Sequence, residues 1–141
     1  MNPRFGRVIT AMITPFNSDG SLDVQGACDL AQWLTEQGND ALVLAGTTGE
    51  SPTITQDEQI QLVEAVAQAV GIPVIAGAGS NATSSAITNT QRCEQAGAKG
   101  ILSVTPYYTR PSQAGLYEHY LQISDSTELP IMLYDLSLIH I

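Results

Sequence analysis

Short, almost unbroken apolar runs recur along the 141-residue chain: VITAMI (8–13), DALVLA (40–45), IPVIAG (72–77), GILSV (100–104) and PIMLY (130–134). Each is bounded by Gly or Pro and is too short for a surface helix, so each predicts a buried strand. Between them the apolar spacing changes to that of a helix. Ala27, Leu30, Ala31 and Leu34 follow i, i+3, i+4, i+7, with Gly38 to close the helix. TQDE (55–58) reads as a capping box, followed by a stripe of Ile60, Val63, Ala67 and Val70. Asn81 is the expected cap of a third helix running to Gly97, and Leu116, Tyr117, Tyr120 and Leu121 mark a fourth.

Strands and helices therefore alternate about every 30 residues, the length of one βα unit. Continuously apolar strands predict an α/β protein with a parallel sheet covered by helices. A doubly wound open sheet and a (β/α)8 TIM barrel both fit. A complete barrel takes about 250 residues, so on that reading the chain holds four units and a fifth strand.

Composition narrows the partners. Hydrophobic residues make up 43% of the chain and charged residues 13%, which describes a chain with a core. Fourteen acids against five basic residues give a net charge of −9, which argues against nucleic acid or an anionic membrane as partner. Cys28 and Cys93 lack any metal-binding spacing and read as free thiols of a reducing cytoplasm. No apolar run approaches the ~20 residues of a membrane span, and MNPRFGRVIT lacks a signal-peptide apolar region. The chain has one lysine, Lys99.

Parallel α/β folds place chemistry in the loops after the strands. GAGSNA (77–82) matches a dinucleotide-binding pattern, but the acid that should follow, Glu94, falls within a helix, and a tight loop explains the pattern as well. GTTGES (46–51) is sharper. Its glycines permit a tight turn, successive amides can form an anion-binding nest, and Thr47 and Thr48 add hydroxyls. A strand-to-helix turn rich in capping residues fits equally. TPYYTRPS (105–112) adds two adjacent tyrosines, of which one can reach a partner subunit, and Tyr134 ends the fifth strand. A phenol can move protons where its neighbours tune it, yet all three can equally be packing residues. His119 reads as structural.

GTTGES, IPVIAGAGSNAT, TPYYTRPSQAGLYEHY and LPIMLY, in that order, resemble the dihydrodipicolinate synthase / N-acetylneuraminate lyase family, and GTTGES with VTPYYTRPSQAGLY resembles its dihydrodipicolinate synthase branch. The resemblance implies a (β/α)8 barrel and a class I aldolase-type lyase without metal or organic cofactor. Pyruvate forms a Schiff base with a lysine, and aspartate β-semialdehyde is the second substrate, in lysine (diaminopimelate) biosynthesis. It also implies a cytoplasmic homo-oligomer, dimer or tetramer. By the same resemblance Thr47 and Tyr134 relay protons, Tyr108 completes the relay in a neighbouring subunit, and Thr48 binds the pyruvate carboxylate.

Ser51, Asn81 and Tyr107 match positions of a lysine-effector site. Gln56, Gln59 and Ser85 stand where lysine-sensitive members carry histidines and an acid, so weak or absent lysine inhibition is expected. The resemblance puts the Schiff-base lysine on a sixth strand, after Ile141. Lys99 precedes the fourth strand, at the wrong end. Residues 1–134 thus read as the N-terminal half of a barrel, and DLSLIHI (135–141) as a non-matching tail from a truncated reading frame. Such a chain is expected to be inactive by the aldolase route. A sialic- or sugar-acid lyase of the family, or a non-catalytic half-barrel, are the competing readings.

Overall fold

The computed structural model describes residues 4–135. Five strands alternate with four helices: β1 (Ile9–Ala11), α1 (Val24–Glu36), β2 (Ala41–Leu44), α2 (Gln56–Ala69), β3 (Val74–Gly77), α3 (Thr83–Gln95), β4 (Gly100–Val104), α4 (Gln113–Ser124) and β5 (Ile131–Tyr134), with a 3-10 turn at Ser51–Thr53. The strands pair in parallel in the order β1-β2-β3-β4-β5. This is the expected α/β half-barrel. The first strand is shorter than its apolar run, because Val8 and Ile13 lie outside the ladder and are exposed.

The two faces of the sheet bury different layers. Leu42 and Leu44 of β2, Val74 and Ala76 of β3 and Ile101 of β4 join Ala27, Ala31, Leu62, Val63 and Val66 of the helices in the main core. On the opposite face Ala41, Val43 and Ile75 pack with Phe5, Ile9 and Leu102. The central strands β2 and β3 are thus buried on both faces, which is why they lack polar alternation. Each fully buried Leu or Ile contributes about 1.5–3 kcal/mol through the apolar area removed from water.

Local chemistry sets the helix ends. The Asp23 side chain accepts from the Gly26 amide at the start of α1, and Gly38, at φ +90°, ends it. At α2 the expected capping box is complete: the Thr55 hydroxyl accepts from the Glu58 amide, and the Glu58 carboxylate accepts from the Thr55 amide at 2.7 Å. The Thr55 amide and hydroxyl, both donating to it, hold the Glu58 carboxylate below its usual pKa range.

Three helical expectations need correction. Asn81 does not cap α3. The N-cap is Ala82, without a side-chain bond, since the helix starts one residue later than Asn81 could serve. On α2 the buried face is Gln59, Leu62, Val63 and Val66, a stripe rotated from the expected one, with Ile60 and Ala67 at its flank. On α4 the buried residues are His119 and Ile123. The expected stripe of Leu116, Tyr117, Tyr120 and Leu121 instead lines an open groove of about 660 Å³ with Ile131 and Leu133 of β5.

Cys93 is buried and Cys28 half-buried, both as free thiols; burial pushes the Cys93 thiol up to about 12. Among the described residues no helix is long and apolar enough to cross a membrane. His140 and most of the tail lie outside the described residues.

Candidate functional site

β2 ends at Leu44, and the chain then turns sharply, with Ala45 at φ +52° and Glu50 at φ +53°. Left-handed backbone is uncommon for residues with a Cβ and costs about 1 kcal/mol or more, so the surroundings must impose it. They do so from both sides. A Cβ on Gly77, at the end of β3, would lie 2.2 Å from the Ala45 carbonyl oxygen, so only glycine lets β3 approach the turn. On the other side a Cβ on Gly49 would lie 3.0 Å from the Met12 carbonyl oxygen, just past β1. The Thr14 hydroxyl donates to the Gly49 carbonyl at 2.6 Å, the Ser51 amide to the Gly46 carbonyl and the Glu50 amide to the Thr47 carbonyl. From below, the buried Gln59 amide group donates to the Gly77 carbonyl at 2.7 Å.

The turn thus braced leaves donors over. Thr47 and Thr48 are exposed, and among the described residues the amides of Thr47, Thr48 and Gly49 and both threonine hydroxyls have no hydrogen-bond partner. Three consecutive N–H groups left over on a braced backbone, with two hydroxyls beside them, are a donor set that suits a carboxylate. Ser51 follows at the start of the 3-10 turn, and Asn81 is exposed in the loop after β3.

The tyrosines sit at the same end of the sheet. Tyr107 and Tyr108 occupy the loop after β4; Tyr108 is fully exposed, with φ +69°. Tyr107 is about half exposed. Tyr134 ends β5, half-buried, and its carbonyl accepts from both the amide (2.8 Å) and the hydroxyl (3.2 Å) of Thr105, whose hydroxyl also meets the Tyr120 phenol at 3.0 Å. β2 and β5 stand three ladder steps apart, about 14 Å along the sheet at ~4.8 Å per step. The structure therefore brings Thr47, Thr48, Ser51, Asn81, Tyr107, Tyr108 and Tyr134 to one rim.

Lys99 lies at the other rim. It precedes β4, donates its amide to the Val74 carbonyl and borders a small recess with Gly71, Ile72, Pro73 and Gly97. The five residues of β4 separate it from the tyrosine loop by about 16 Å. Among the described residues no group of three or more His, Cys, Asp or Glu is placed to hold a metal.

Sequence reasoning missed the groups that shape the turn. Thr14 belongs to no motif, and Gly77 was visible only as the first glycine of GAGSNA, with no sign of the carbonyl it must clear.

Comparison with known proteins fits this geometry. A model of the dihydrodipicolinate synthetase family matches residues 4–138. A 4-hydroxy-tetrahydrodipicolinate synthase of Acidothermus cellulolyticus is 57% identical over 134 residues, covering 94% of this chain and 44% of that protein. Among solved structures, a dihydrodipicolinate synthase of Cyanidioschyzon merolae with lysine bound superimposes with a TM-score of 0.90 at 47% identity, covering 92% of this chain and 45% of that one. The chloride-inhibited enzyme of Acinetobacter baumannii, complexed with pyruvate, gives 0.87 at 41% identity, covering 90% and 44%. The chain spans about 45% of the length of the relatives it matches.

Proposed function

The chain belongs to the dihydrodipicolinate synthetase family, a family of lyases, and from that premise we propose that it is the N-terminal half of a 4-hydroxy-tetrahydrodipicolinate synthase. In this reading pyruvate, bound as a Schiff base, condenses with aspartate β-semialdehyde in lysine biosynthesis, within a homo-oligomer. The observation that carries the reading is the GTTGES turn, whose backbone is braced on both sides while three successive amides have no hydrogen-bond partner among the described residues.

Thr48 and the neighbouring amides bind the pyruvate carboxylate. Thr47 and Tyr134 pass protons to and from the carbinolamine, since its formation and dehydration each move one. Tyr108, wholly exposed on its own subunit, enters the relay of a neighbour. Ser51, Asn81 and Tyr107 form a weak effector site. Gln59 is committed to the Gly77 carbonyl and does not face an effector. Inhibition of the full-length enzyme by micromolar lysine would overturn the expectation of weak or absent lysine inhibition.

Within the 141 residues the carboxylate site stands without a lysine at its rim. Pyruvate titrated into the chain should shift the backbone amide resonances of Thr47, Thr48 and Gly49, and borohydride should then trap no covalent adduct. Unmoved amides would sink the carboxylate reading; an adduct on Lys99 would sink the assignment of its position.

A further inference from the structure

Thr14 is 5% exposed, lies after β1, and has no part in the relay or the carboxylate site. Its hydroxyl donates to the Gly49 carbonyl across 35 residues of sequence. That carbonyl belongs to the same planar peptide as the Glu50 amide, which donates to the Thr47 carbonyl at 3.1 Å. The Gly49–Glu50 peptide is therefore gripped at both ends. In a trans peptide the C=O and N–H point in opposite directions. With the Thr47 carbonyl drawn toward Glu50, the Thr48 amide of that same peptide must point the other way, out of the turn.

The grip acts against a real alternative. Glu50 sits at φ +53°. Rotating the Gly49–Glu50 peptide by half a turn would carry that φ to the negative, unstrained region and release the Thr47 carbonyl. The Thr14 bond, nearly shielded from water, opposes the rotation, because a flipped peptide would leave the hydroxyl without its acceptor.

We infer that Thr14 is a positioning residue: its hydroxyl latches the Gly49–Glu50 peptide and thereby aims the Thr48 amide at the pyruvate carboxylate. This rests on the carboxylate reading of the turn. It makes the anion site depend on a side chain from the preceding strand's loop, and it explains why a non-glycine residue at 50 tolerates left-handed backbone.

The test uses the 141-residue chain, with pyruvate as probe and backbone amide and Cα/Cβ resonances as readout. Thr14→Val, similar in volume without the hydroxyl, should move the Glu50 resonances to values of negative φ in the absence of ligand. It should also weaken pyruvate binding at least tenfold. Thr14→Ser keeps the hydroxyl and should match the wild type on both counts. Adding Glu50→Gly to Thr14→Val should recover much of the binding, because glycine adopts positive φ without strain; a mere packing role for Thr14 would show no such rescue.

A folded Thr14→Val chain with Glu50 still at positive φ and wild-type binding overturns the inference. So does a folded Thr14→Ser chain that has lost binding, which keeps the test decisive should the valine variant not fold. A wild-type chain that ignores pyruvate while Thr14→Val flips Glu50 leaves the latch standing and removes the carboxylate reading instead.

Discussion

The free donors at Thr47 to Gly49 exist because of how little space surrounds the turn. Gly77 is the tightest point, with backbone rather than a flexible side chain facing its Cα. Gly77→Ala must therefore push β3 away from Ala45, and overpacking of this kind costs about 1–3 kcal/mol. A lower urea midpoint with an unchanged slope is expected. Gly71→Ala, where nothing lies within 4 Å of the new methyl, should leave the midpoint close to wild type. Equal midpoints for the two variants would remove the close approach as the turn's brace. Glycine was easy to see in GTTGES and in GAGSNA, but two equivalent letters hid different work: Gly77 clears a carbonyl, whereas Gly49 also offers its own carbonyl to Thr14. Thr14 itself was invisible for the same reason, since a threonine before a proline after a short strand says nothing of an acceptor 35 residues away.

Helices α3 and α4 meet through His119. Its Nδ1 lies 2.9 Å from the Thr83 hydroxyl, and its buried Nε2 has no partner among the described residues. Burial disfavours the imidazolium and lowers the pKa from its ordinary value of 6.5. The unfolded chain therefore takes up the proton first as pH falls. This contribution to stability is complete above about pH 6.5 and is lost below it, through the folded-state pKa. The melting temperature should fall as pH drops from about 6.5 toward 5, before the carboxylates titrate. His119→Gln should flatten that limb, and an unchanged profile would show that burial of His119 does not set the pH dependence. The capping box of α2 and the stripe of α1 were legible because each is a local matter of spacing and hydrogen-bond donors. The α4 stripe was not, because its apolar residues border an open groove, and a periodicity cannot tell a buried face from one left uncovered.

At the scale of the molecule, β1 and β5 each have a single ladder partner among the described residues, and apolar side chains accompany both. Val8, Ile13, Leu133 and Tyr117 are all more than half exposed. Unpaired parallel edges with apolar flanks invite pairing with another chain. Sedimentation velocity should show association that grows with protein concentration and recedes in Leu133→Lys. A monomer at every accessible concentration would contradict it. The parallel sheet and its layering were readable from runs of apolar residues, since a strand buried on both faces has no other composition open to it. The same parallel pairing gathers the loops after the strands at one rim.

The order β1-β2-β3-β4-β5 is also the order in which a ribosome delivers the strands. Each new strand docks only on the one made just before it, about 30 residues earlier, so no early segment must wait with its partner still unmade. A growing sheet of this kind keeps one edge fixed at β1 and a second, at its newest strand, that moves forward as translation proceeds, while the turn after β2 is closed from both sides once β3 arrives. The braced turn, with its unpartnered donors, would then take shape during synthesis, well before the last helix leaves the tunnel.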